Sequence, residues 1–335
     1  MVLDCSLCQH QTHEDSPMPS NRTGRRGTPV MAAALGAALL GAAVHADTET
    51  RSFDVSPGDR LVLDTEWGEV HVATHGDDTV ELVVEQAGAI DLAYEQQDGT
   101  LTIRGTRKEG GVVRWFLDWG DRPTFRLTVP HRQDLSLRSA GGDIAVDDLD
   151  GELSARTSGG SVAIEEVTGS LEVETSGGSI RVAAAGGAVT ATTSGGAIAL
   201  GPAAGDVEAR TSGGSIRIEE GAGRVAARTS GGSIAVSAAG PIEARTSGGS
   251  IRATFRQHPD GDSDLRTSGG DIEVLLPADV AVDIDAKTSG GRVVAEVPVT
   301  VEGTLERSAL RGAIGGGGPQ LRLRTSGGSI VLEPL

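Results

Sequence analysis

Between residues 196 and 211, apolar side chains alternate with small or polar ones in two short runs. The first is Ala197-Ile198-Ala199-Leu200 and the second is Val207-Glu208-Ala209-Arg210-Thr211. A Gly-Pro-Ala-Ala-Gly turn signal at 201–205 separates them, and Ser212-Gly213-Gly214 turns the chain again. Alternation places successive side chains on opposite faces of a strand. The unit therefore predicts two strands of about five residues and two corners, and at about 3.3 Å per residue it closes a flattened coil.

The unit recurs. Thr-Ser-Gly-Gly begins at Thr157, Thr175, Thr193, Thr211, Thr229, Thr246, Thr267, Thr288 and Thr325, in four steps of 18 residues and then 17, 21, 21 and 37. A worn copy, Ser139-Ala140-Gly141-Gly142, precedes the first by 18 residues, and a second, near residues 307–314, splits the last gap into two steps. A fixed period of this size predicts a repeat architecture. The inward positions on one strand are Ile180, Ile198, Ile216, Ile234, Ile251, Ile272 and Ile330, with Val162 and Val293 as variants. The return strand turns in sets such as Leu171-Val173-Thr175 and Val207-Ala209-Thr211. Such a core is thin, with no room for aromatics. One coil cannot bury its apolar side alone, so coils must stack in parallel at about 4.8 Å per rung into a rod of order 50 Å.

The glycine pairs Gly159-Gly160, Gly177-Gly178, Gly195-Gly196, Gly213-Gly214, Gly231-Gly232 and Gly248-Gly249 mark the corner. A sharp corner repeated at each rung calls for residues that accept both a positive φ and a close backbone approach, and glycine does both. Gly213→Val is expected to collapse secretion or solubility, because the corner would then need strained backbone. The Ser and Thr hydroxyls of the phrase are placed to bond neighbouring backbone groups as ladders.

Residues 47–135 differ. Seven of the eight aromatics lie here, namely Phe53, Trp67, Tyr94, Trp115, Phe116, Trp119 and Phe125. Thr65-Glu66-Trp67-Gly68 resembles a degenerate first copy of the phrase. The region reads as an N-terminal β cap with the first irregular coils, since an open stack end templates aggregation unless covered. Trp115 and Trp119 either cap the core or form a ligand platform. Insertions in the 21-residue steps fall near 255–264 and 276–280, where solenoids carry loops.

Residues 1–46 read as a leader. Arg22, Arg25 and Arg26 precede the apolar stretch 30–43, and Val44-His45-Ala46 suits cleavage of a secretory signal, too short to span a membrane. Cys5, Cys8, His10 and His13 have zinc-like spacing but lie upstream of that signal, and translation from Met18 would omit them. The mature chain then has no cysteine, hence no disulfide or thiol nucleophile. No barrel-forming segment follows, which speaks against self-export.

Net charge is −18, which argues against a nucleic-acid partner. The charges are nevertheless ordered. Just before the leading Thr stand Arg156, Arg210, Arg228, Arg245, Arg266, Lys287 and Arg324, with Glu174 and Thr192 as exceptions. Two residues earlier stand Glu172, Glu208, Glu243, Asp264 and Asp285 among others. Like charges one rung apart repel by roughly 0.9 kcal/mol in water, so the neighbouring acidic column offsets the basic one. The pair of columns reads as a self-compensating solvated face or, more sharply, as a binding strip for a charged polymer such as a glycan.

Catalytic motifs are missing: there is no nucleophile elbow, P-loop, dinucleotide fingerprint or HExxH. His71 and His75 are four apart, but on a strand and turn rather than a helix. Only Asp143 and Asp271 follow a glycine pair, whereas calcium-binding nonapeptides need a regular Asp. Ice binding wants outward Thr-x-Thr, and these threonines point inward by parity.

The phrase Thr-Ser-Gly-Gly-Ser-Ile at an 18-residue step, the lead-in Leu127-Thr128-Val129-Pro130 and the secretion signal together resemble the bacterial "putative adhesin" family of β-strand repeat proteins, a domain of unknown function. The resemblance implies a cell-envelope or secreted β-solenoid and carries no catalytic residues. The expected fold is all-β, a parallel β-solenoid of about eleven two-strand coils of ~18 residues with an irregular N-terminal cap. The expected divisions are leader 1–46, cap 47–135 and repeat solenoid 136–335. The expected role is structural or adhesive, without cofactor or catalysis, in the periplasm or at the cell surface. Cell-envelope glycans or proteins are the partners in view. A self-associating envelope scaffold and a carbohydrate-active enzyme are the alternatives.

Overall fold

The computed structural model describes residues 48–108, 122–301 and 306–335. The leader with its cysteines, and Trp115 and Trp119, lie outside these. Among the described residues every regular element is a strand except one short 3-10 turn, Ala87–Ala89. Among the described residues no helix is long and apolar enough to cross a membrane. The strands form two sheets, of 14 and 15 strands.

Stacking is in register through the repeats. Val207–Arg210 pairs in parallel with Val225–Arg228 on one sheet, and Ile198–Ala203 with Ile216–Gly221 on the other. Equivalent residues thus sit above one another, Val on Val and Ile on Ile. Register is strongly specified because a one-residue slip would turn every apolar side chain to water. Ile198, Leu200, Val207 and Ala209 are buried, as are their counterparts along the stack up to the terminal coil, where Val293 is half-buried and Ala295 exposed, and the buried residues form one continuous core between the sheets. Two aromatics enter that core against expectation, Phe125 and Phe255. Phe255 pairs with Ala238 where the corner is widened by the loop 256–262. Nearby, the small Ser263 fills a position that is Leu, Val or Ile in the other repeat coils and accepts a hydrogen bond from the Ile242 N–H at 3.0 Å.

Twelve two-strand coils stack, close to the expected eleven, but their order is not the order of the chain. At one end, Arg60–Thr65 and Glu69–His75 lie between the coil of Asp134–Ser139 and Ile144–Val146 and the coil of Thr100–Arg107 and Thr124–Pro130. At the other end, the last coil, Gln320–Thr325 with Ile330–Pro334, lies between Ser263–Arg266 with Ile272–Leu276 and Val282–Thr288 with Val293–Ala295. The worn copy near 307–314 is therefore not a rung. Ala309–Ile314 runs antiparallel to Val282–Thr288, followed by the short Thr300–Val301.

Antiparallel strands flank both ends. Thr48–Asp54 and Thr79–Glu85 border one sheet, and Ile90–Gln97 borders the other. Here the aromatics pack: Phe53 lies 5.4 Å from Tyr94 ring to ring, and the Arg107 guanidinium sits 4.7 Å over Trp67.

The candidate binding face

The Thr-Ser-Gly-Gly corner is built from backbone contacts between rungs. Each leading Thr is buried, and its Oγ1 donates to the carbonyl of the second glycine one rung away. Thr211 bonds Gly196 at 2.9 Å, Thr229 bonds Gly214 at 2.8 Å and Thr246 bonds Gly232 at 2.8 Å. The same oxygen accepts from the second glycine of its own phrase, as in Gly232 N–H to Thr229 at 3.3 Å. The swapped coil obeys the rule, with Thr325 on Gly270 and Thr288 on Gly328. Ser139 plays the Thr part on Gly68, so the degenerate first phrase occupies an equivalent corner.

The glycines of the phrase do not have positive φ. Among the described residues the glycines with that conformation are Gly58, Gly68, Gly99 and Gly315 to Gly317. Close approach is the reason instead, and it acts on the second glycine. A Cβ on Gly214 would lie 2.0 Å from the Gly196 carbonyl oxygen, and one on Gly160, Gly178, Gly196, Gly232 or Gly249 would meet its neighbour's oxygen at 2.0–2.1 Å. The first glycine has more space, with 3.2 Å at Gly213. Gly159, Gly177, Gly195, Gly231 and Gly248 are alike, with nearest atoms at 3.2–3.8 Å.

The cations that precede each Thr are brought into one line on the outer face of the second sheet. Arg210, Arg228, Arg245, Arg266, Arg324 and Lys287 are consecutive neighbours in that order, so the swap seats Arg324 between Arg266 and Lys287. Arg156 is set apart by Glu174 and Thr192. The acidic column holds the basic one. Glu243 receives Arg228 at 2.5 Å and Arg245 at 2.7 Å, and Asp264 receives Arg245 at 2.9 Å and Arg266 at 2.8 Å. Glu208 pairs with Arg210, and Asp285 with Arg324. Burial raises the pKa of Glu243, but hydrogen bonds from Arg228 and Arg224 and the charges of Arg228 and Arg245 outweigh it, leaving the carboxyl below its ordinary value. Asp285 is likewise lowered despite burial, by Arg324 and Arg311. A hydrogen bond to Asp264 holds Arg245 more firmly in its charged form.

On the other flank of the basic column no carboxylate intervenes. A groove of about 570 Å³ runs between these cations and the serines of the corner, with the buried threonines as its floor. Arg228, Arg245, Arg266, Arg324 and Lys287 form one lip; Ser247, Ser268, Ser326 and Ser289 form the other. The serines are exposed. The sequence carried the signal for this: basic residue, Thr, Ser in succession places a cation and a hydroxyl on either side of an inward residue. A second groove, about 340 Å³ on the opposite sheet, mixes Arg181 and Arg217 with Glu165 and Glu219. No cluster of three or more metal-ligating side chains occurs among the described residues. His75 is occupied in a 2.7 Å hydrogen bond with the Thr79 carbonyl, and His71 lies 3.7 Å from Glu69.

A parallel solenoid with this corner defines a class of β-strand repeat protein. The family model described as Toastrack DUF4097 matches residues 59–333, and the chain belongs to that family. Several solved structures match as well. One is a putative adhesin from Bacteroides fragilis NCTC 9343, at 16% identity over 86% of this chain and 97% of that one, with a TM-score of 0.34. Another is a putative cell adhesion protein from Clostridium sporogenes ATCC 15579, at 11% identity over 86% and 99%, TM-score 0.21. A third is a putative lipid binding protein from Parabacteroides distasonis ATCC 8503, at 15% identity over 86% and 97%, TM-score 0.35. No match is found among curated proteins.

Proposed function

We propose that this protein is an exported, non-catalytic β-solenoid that presents a repetitive surface to cell-envelope polymers or proteins. The observation that supports this most is the in-register run of six cations on adjacent strands, Arg210 to Lys287. One repeated polar group per rung is suited to a partner that itself repeats. The chemistry of the face is positional: guanidinium groups are held in place by Glu243 and Asp264.

The test is binding of the purified chain to an isolated envelope fraction and to a glycan array, with and without Arg210, Arg228 and Arg245 changed together to Gln. Binding that weakens in the variant supports the proposal. Binding left intact by all three changes would remove this face from the function.

A further inference from the structure

We infer that the groove beside the basic column is a subsite for an acidic polysaccharide lying along the stack axis, across the strands. This rests on the surface-binding reading above and names the class of polymer.

Direction comes first. The cations Arg228, Arg245, Arg266, Arg324 and Lys287 repeat from strand to strand, so five of them span four rung spacings, roughly 19 Å. Only a ligand crossing the strands meets them all; one lying along a strand meets a single cation. Chemistry follows from the lining. Thirteen residues line the groove, and each is Arg, Lys, Ser or Thr. The carboxylates that orient the guanidinium groups stand two residues before the cations along the strands, and none of them lines the groove. Each guanidinium has five N–H donors. Arg266 engages Asp264 through Nε, and among the described residues Lys287 meets no carboxylate within 4.0 Å. Anions fit this lip and the serine hydroxyls of the opposite lip fit sugar hydroxyls.

A nucleic acid fits less well. Single strands bind through aromatic stacking, and no aromatic lines the groove.

The test uses the full chain and polygalacturonate as probe, with dextran as the uncharged comparison and single-stranded DNA as the competing polyanion. Two variants are made at exposed positions. R266Q with K287Q removes two cations, and S268E places a carboxylate on the opposite lip without touching the ion-pair columns. R156Q, outside the groove, is the control. Expected are saturable binding of polygalacturonate that weakens with salt, a loss of roughly 5- to 30-fold in each groove variant, and no change in R156Q. Circular dichroism checks that the variants fold, and if one variant does not, the other decides. Equal loss in R156Q, unchanged binding in the folded groove variants, or tighter binding of DNA or dextran would overturn the inference. Binding to envelope material without binding to polygalacturonate would overturn it while leaving the proposed function standing. Binding to neither would remove both.

Discussion

At the second glycine of each corner a side chain has nowhere to go. The Cβ built on Gly214 falls 2.0 Å from a carbonyl oxygen that cannot move without moving its own rung. That oxygen, on Gly196, also accepts the Thr211 hydroxyl, so a shift there would break a buried bond as well. Gly213 faces the equivalent oxygen at 3.2 Å, a contact its neighbours can relieve. Gly214→Ala is therefore expected to cost about 2–4 kcal/mol, and Gly213→Ala less than about 1 kcal/mol. Chemical denaturation of the two variants checks this. Equal costs would mean that the stacking contact is not what selects glycine. The glycine pair was visible in the sequence as a corner. Which member is essential was not, because the distinction depends on the distance to a neighbouring rung.

At the scale of the strand, alternation carries most of the information. It places Arg228, Ala226 and Arg224 on one side of Val225–Arg228 and Val225, Ala227 and Thr229 on the other. Both charge columns were legible for that reason. Their interlocking through Glu243, which serves Arg224, Arg228 and Arg245 together, depends on rotamers and spacing across two rungs. It has a pH signature. Glu243 and Asp285 have folded pKa values below their ordinary ones. Their contribution is thus present above the unfolded carboxylate pKa and is lost as pH falls through the folded value. Thermal unfolding followed from neutral pH downward should show melting temperature falling below about pH 4.5, less steeply in Glu243→Gln. High salt should shrink the difference, since these side chains remain partly open to solvent. A variant that titrates like the parent would mean that Glu243 is not the hub of the network.

At the scale of the whole stack, sequence order and spatial order part at both ends. Residues 320–334 form an interior coil, paired to Ser263–Arg266 on one side and Val282–Thr288 on the other. Cutting the chain after residue 319 is therefore expected to open the stack rather than shorten it. The coil of Val282–Thr288 and Val293–Ala295 would lose its parallel neighbours, and Ile272–Leu276 would become an unpaired edge. Hydrogen exchange of the truncated chain should show protection lost across 263–295, with aggregation. Protection retained there would contradict the interior placement. The pairing also predicts late closure in folding, since Ser263 must find Leu321 across the intervening chain.

Period, strand and corner positions, inward faces and the charge columns all follow from neighbours along the chain, and a one-dimensional pattern is enough to read them. The resemblance drawn from the repeated phrase agrees with the Toastrack assignment for the same reason. The order of the end coils, the buried Phe255 and the seating of Arg324 between Arg266 and Lys287 follow from contacts between residues far apart in sequence. Every coil presents nearly the same edge to its neighbours, so local pattern cannot say which coil stacks on which. That choice is made where loop lengths, end strands and core volumes meet in space.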